Sequence, residues 1–181
     1  MSTSHIDRRL CVIVCGAGPA FDVGNLLSLA DQAGWRPHVV ATPSALKFLD
    51  VEALGRQTGS PVRSDYGQRP EGPRSSDADG LVIAPATYNT INKLAVGIND
   101  TYALNVAAEA MGRGIPTAIL PFVNAALASR LPFVKAVESL RQEGAAVLIG
   151  EGEWKPHPPG SGGAMIASFP WAKALEAVGQ G

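Results

Sequence analysis

Residues 81–100, LVIAPATYNTINKLAVGIND, set the terms on which the rest of the chain can fold. Leu81, Val82, Ile83 and Ala84 are consecutive apolar residues, too few for a helix and suited to a parallel strand buried on both faces. Pro85 has no amide hydrogen to give to a sheet ladder, so the strand is expected to end there. Ala86, Thr87, Asn89 and Thr90 follow, small or hydrogen-bonding residues where a strand hands over to a helix. Open α/β sheets bind their ligands at that edge. Ile91, Leu94, Ala95 and Ile98 then recur at helical spacing and predict a helix packed back on the sheet. Taken alone, this is also the pattern of an ordinary polar strand-loop-helix junction.

The same alternation runs through the chain. Residues 10–15 read as a buried strand, and Gly16, Ala17, Gly18, Pro19 and Ala20 as the turn after it, with Pro19 at the first position of a helix. That helix carries Leu26, Leu27, Leu29 and Ala30 and stops at Gly34. A small-residue turn that opens a helix presents free N–H groups and the positive end of a dipole, a cradle for phosphate. A tight turn that binds nothing has the same composition. Phe21 stands where the third glycine of GxGxxG belongs, which disfavours a dinucleotide site.

Residues 38–41 are the second strand, and Thr42 or Ser44 can cap a helix through Ala45, Leu46, Phe48 and Leu49. Residues 55–79 are rich in Gly, Pro, Ser and Arg and predict a long functional or disordered loop. Residues 101–113 form a helix, 117–120 the fourth strand, and Phe133, Val134, Val137 and Leu140 a core-facing helical stripe. Residues 145–149 form the fifth strand, and a short helix spans residues 171–178. The alternation predicts one α/β domain over residues 1–181: a three-layer parallel sheet, flavodoxin-like or Rossmann-like, with its core at about 10–150.

Composition excludes more than it selects. With 181 residues and a formal charge of −1, the chain can bury a sizeable core and offers no electrostatic case for nucleic acid or an anionic membrane. No apolar run approaches the roughly twenty residues of a membrane span, and residues 10–15 are too short for a signal peptide. A cytoplasmic protein is expected. Cys11 and Cys15 are too far apart along a strand for a disulfide and read as buried reduced thiols.

Pro85, Ala86, Thr87, Asn89, Thr90, Lys93, Gly97, Ile98 and Asp100 together resemble the signature of the homo-oligomeric flavin-containing cysteine decarboxylases, the family of phosphopantothenoylcysteine and lantibiotic peptide decarboxylases. Tyr88 takes a position that is usually alanine. The resemblance implies FMN held by Gly16, Gly18, Pro19 and Ala20, by Thr42, Ser44 and Phe48, and by Pro85, Ala86, Thr87, Asn89 and Asp100. It also implies that Asn124, in the turn opened by Pro121, recognises a substrate carboxylate, although a turn asparagine is commonly structural.

The family's upstream histidine has no counterpart in residues 70–77, where Glu71 lies nearest, and residues 151–181 lack the flap cysteine. His157 and Lys155, set among prolines, read as loop residues. No metal site is expected. The resemblance implies an FMN-dependent decarboxylase or oxidoreductase acting on a thiol- or carboxylate-bearing small molecule or peptide, assembled as a homotrimer or as trimers with FMN at the subunit interface. The alternatives are a flavin-binding or regulatory protein without decarboxylase chemistry, and a flavin prenyltransferase-like transferase.

Overall fold

The computed structural model describes residues 8–67 and 74–179. Five parallel strands, β1 (Arg8–Val14), β2 (Trp35–Ala41), β3 (Gly80–Ala86), β4 (Thr117–Pro121) and β5 (Ala146–Val147), form one sheet in the order β2-β1-β3-β4-β5. This is the flavodoxin-like order, in which the chain leaves β1 toward one side and returns on β3 at the other. The helices are α1 (Gly24–Gln32), α2 (Val51–Thr58), α3 (Tyr88–Ala95), α4 (Tyr102–Gly112), α5 (Ala125–Ala128), α6 (Leu131–Gln142), α7 (Gly162–Met165) and α8 (Trp171–Gly179).

Register explains why both sheet faces are apolar. Val40, Ile13, Ile83, Ile119 and Val147 lie in one row across the strands, and their side chains pack under α3, α4 and α6. The adjacent row, Val39, Val12, Val82 and Ala118, faces α1, α2 and α8. Successive strand residues point to opposite faces, so a strand covered on both sides must be apolar throughout. Cys11 and Cys15 are buried and unbridged on the α4 side, and burial pushes the Cys11 thiol up to about 12. Burial also raises the Cys15 thiol against the opposing hydrogen bond to Thr90, so both are reduced core groups.

Several boundaries differ from expectation. Pro85 does not end β3: the register shifts between Ile83 and Ala86, and its missing N–H falls at that irregularity while its carbonyl accepts from Cys15 N at 3.1 Å. Ile98 lies outside α3 and is exposed, because Gly97 at φ +75° turns the chain off the helix axis. The first turn opens a five-residue 3-10 segment, Gly18–Asp22, rather than α1, which starts at Gly24.

Likewise Ser44 is followed by a 3-10 segment, Ala45–Phe48, and makes no side-chain cap, whereas Asp50 caps α2 through Ala53 N at 2.9 Å. That helix also takes in residues 55–58 of the expected loop. Strand β2 begins earlier than expected, since Pro37 is tolerated on an edge strand. Strand β5 is cut to two residues, and Arg141 Nη2 takes the carbonyls of Val147 and Ile149 at 2.7 and 2.8 Å. On α6, Val134 is exposed and Ala136 is buried in its stead.

The long connection is tied down at both described ends. Arg63 bridges to Val40, with Ala41 N donating to Arg63 O at 2.7 Å, and covers part of the β2 edge. Further on, Arg113 Nη1 donates to Ser76 O and Asp77 Oδ1, both at 2.8 Å, and His38 Nε2 donates to Ser75 O at 3.2 Å. Arg74 and then Arg113 hold the Asp77 carboxyl down at about 2, against an ordinary 3.8. A depressed carboxyl contributes stability above the ordinary value and loses it as pH falls through the folded one. Asp77→Asn should therefore lie below wild type in urea stability at about pH 5, the gap closing between about pH 4 and pH 2. A gap as large at pH 2 as at pH 5 would contradict this anchor. Leu140, fully buried on α6, should cost about 3 kcal/mol as Leu140→Ala in the same urea assay; a loss under about 1 kcal/mol would show that the site collapses.

Candidate functional site

The C-terminal ends of β2, β1, β3 and β4 lie side by side, and each opens into a turn bearing small or hydrogen-bonding residues. In spatial order these are Thr42–Ser44, residues 15–20, residues 87–89 and residues 122–124. The sequence placed its candidates there, and the sheet order brings four of those turns to one edge. The β1/β3 boundary between the middle two is the topological switch point, where such sheets bind ligands.

The first and second turns touch. A Cβ at Gly16 would lie 2.9 Å from both the carbonyl oxygen and Oγ of Ser44, so only glycine permits this approach. Pro19 and Ala20 are buried, which leaves Gly16, Ala17 and Gly18 as the accessible part of the turn. Among the described residues, the amides of Gly16, Gly18 and Ser44 have no acceptor. Thr42 is buried and its hydroxyl meets Ser44 Oγ at 3.2 Å. Phe48 closes this side, with its ring centroid 5.1 Å from that of Phe21.

At the third turn the hydroxyl of Thr87 is committed to the fold. It accepts from Thr90 N at 3.3 Å as the cap of α3 and donates to Thr90 Oγ1 at 3.0 Å, while Cys15 Sγ donates to the same oxygen at 3.4 Å. This chain of hydrogen bonds locks the first turn to the third from beneath. Asn89 is exposed, and its side chain has no partner among the described residues. Pro85 and Ala86 are buried backbone frame. Asp100 is on the exposed connection after α3, where Lys93 pairs with it.

At the fourth turn Asn124 Oδ1 caps α5 by accepting from Leu127 N at 2.9 Å, which leaves its Nδ2 as a donor. Glu71 lies outside the described residues. Sequence reasoning left His157 as a loop residue. Its carbonyl accepts from Ala125 N at 2.8 Å, and its ring stands 4.9 Å from Phe122. A Cβ at Gly162 would come within 3.1 Å of that imidazole, and one at Gly18 within 2.8 Å of Ile166 Cδ1. The tail thus closes over the first and fourth turns. No local spacing signals this, although the glycines at both contacts are visible in the sequence.

Free amides on the glycine turn, a hydroxyl not spent on capping and an exposed amide side chain suit a phosphate and a polar chain, so the residues present fit a mononucleotide cofactor of the flavin type. Among the described residues, no group of His, Cys, Asp and Glu could hold a metal ion, and no helix is long and apolar enough to cross a membrane.

The chain is 28% identical over 149 residues to the coenzyme A biosynthesis bifunctional protein CoaBC of Thermococcus kodakarensis, covering 79% of this chain and 36% of that protein. It therefore spans about a third of the length of the curated relatives it matches. Among solved structures it is similar to the FMN-dependent cysteine decarboxylase TvaF from thioviridamide biosynthesis, with a TM-score of 0.73 and 25% identity over 95% of this chain and 98% of that one. The FMN-dependent cysteine decarboxylase SpaF gives 0.70 and 26% over 95% and 99%. The Flavoprotein family matches residues 1–167, and on that match, from β1 through the tail segment that covers Gly18, the chain belongs to the Flavoprotein family.

Proposed function

We propose that this flavoprotein binds FMN and carries out decarboxylase-type chemistry on a small molecule or peptide that bears a thiol or a carboxylate. The observation that supports it best is the contact at Gly16, where two ligand-type turns meet too closely for a Cβ beside the β1/β3 switch point. TvaF and SpaF, similar along nearly their whole length, are FMN-dependent cysteine decarboxylases.

When bound, FMN supplies a two-electron acceptor. The chain's own residues bind and orient. The amides of Gly16, Gly18 and Ser44 and the Ser44 hydroxyl hold the phosphate end, and Asn89 holds a polar group further along. Thr87 keeps the third turn rigid through its cap. Asn124 donates from Nδ2 to the substrate carboxylate, its amide orientation fixed because Oδ1 is spent on Leu127 N. Glu71, nearest to the family's histidine position, is the candidate to orient the substrate or accept its proton. The absence of cysteine from residues 151–181 fits chemistry that stops at an oxidised product.

Assembly as a homotrimer or as trimers belongs to the same reading, supported by the exposed apolar residues Val96 and Ile98 at the end of α3, as does a cytoplasmic location. The lack of histidine in residues 70–77 favours one second reading, a flavin-binding or regulatory protein without decarboxylation.

Titration of FMN fluorescence tests the cofactor site. Ser44→Ala removes a hydroxyl that caps no helix but partners the buried Thr42 hydroxyl, so it should weaken FMN binding about fivefold and lower stability by about 1 kcal/mol. Unchanged affinity would remove Ser44 from the cofactor site.

A further inference from the structure

We propose that Arg130 is an anion-recognising residue at the rim of this site, that Tyr88 positions it, and that it takes a carboxylate or phosphate group of the substrate. The inference rests on the function proposed above and adds a determinant of substrate charge. Tyr88 is the first residue of α3, directly after the Thr87 cap. Its ring stacks on Phe133 of α6, with centroids 5.6 Å apart and planes 11° from parallel. Phe133 is only 2% exposed, so the phenol rests on a fixed base. The Tyr88 hydroxyl accepts from Arg130 Nη1 at 3.2 Å.

Arg130 stands at the N-cap position of α6, one short helix after Asn124, with its side chain free of any cap bond, and its amide donates to Leu127 O at 3.2 Å. Helix α5 therefore carries the two donors at its two ends: the Nδ2 of Asn124 and the guanidinium of Arg130. Among the described residues, no carboxylate lies within 4.0 Å of Arg130, and Tyr88 is its side chain's hydrogen-bonding partner. The guanidinium keeps most of its five N–H groups in a planar fork that matches a carboxylate or a phosphate. An arginine that merely solvates a helix end needs no stacked phenol to hold it. The alanine usual at this point of the signature would leave Arg130 without its partner.

The test is calorimetric titration of the full chain, both without and with added FMN, against N-acetylcysteine, its carboxamide and phenyl phosphate. Arg130→Gln should weaken the bound anion about tenfold, flatten the dependence of its affinity on salt and leave the carboxamide unchanged. Tyr88→Phe keeps the stack on Phe133 and should weaken the same anion about threefold. An effect on N-acetylcysteine assigns the group as a carboxylate, and an effect on phenyl phosphate assigns it as a phosphate. The proposal is overturned if Arg130→Gln binds both anions as tightly as wild type, if wild type binds neither, or if the carboxamide loses as much as the acid. Failure of FMN to bind counts against the proposed function alone, because the anion isotherms are read without it.

Discussion

Strand β3 is buried along its whole length and hydrogen-bonded on both edges, and that burial determines where its C-terminal end emerges. Branched side chains from β1 and β4 lie beside it in register, so a slip of one residue would turn Val82 and Ile83 to the wrong faces. Gly80 belongs to the same constraint. A Cβ there would press on Trp35 at 3.1 Å and on Leu10 at 3.3 Å. With β3 fixed between β1 and β4, the turns at Gly16, Thr87 and Asn124 have no freedom to separate. The site is a consequence of the packing beneath it.

The residues at this edge divide into those that build it and those left over for a ligand. Thr87 and Asn124 spend an oxygen each on helix caps, and Pro19, Ala20, Pro85 and Ala86 are buried frame. Buried polar groups must be satisfied internally. The groups still able to serve a ligand are therefore the amides of the glycine turn, Ser44, Asn89, the Asn124 Nδ2 and the guanidinium of Arg130. This set is richer in donors than in acceptors, as the proposed recognition of FMN and of an anionic substrate requires.

Much of the fold was legible because apolar runs and breakers obey local rules. Leu81 to Ala84 read as a buried strand and lie in β3, and the helix expected over residues 101–113 is α4, which the structure shows capped by Thr101. What local rules could not supply was long-range pairing. Pro85 remains within the sheet because a register irregularity and the Cys15 amide accommodate it. Likewise β5 ends early where Arg141 takes the carbonyl of Ile149. At the site, resemblance pointed to Gly16, Ser44 and Asn124, whose turns the sheet order brings to one edge. The contact of Tyr88 with Arg130 crosses from α3 to α6, and that of His157 with Phe122 joins the tail to the fourth turn. Neither leaves a trace in residue spacing.

The central claim is that this edge of the sheet holds FMN. The visible absorption spectrum of the purified full chain, with mass analysis of whatever denaturation releases, tests it most directly. The account predicts the two bands of an oxidised flavin and the release of FMN. A colourless protein that stays colourless after incubation with FMN would contradict it.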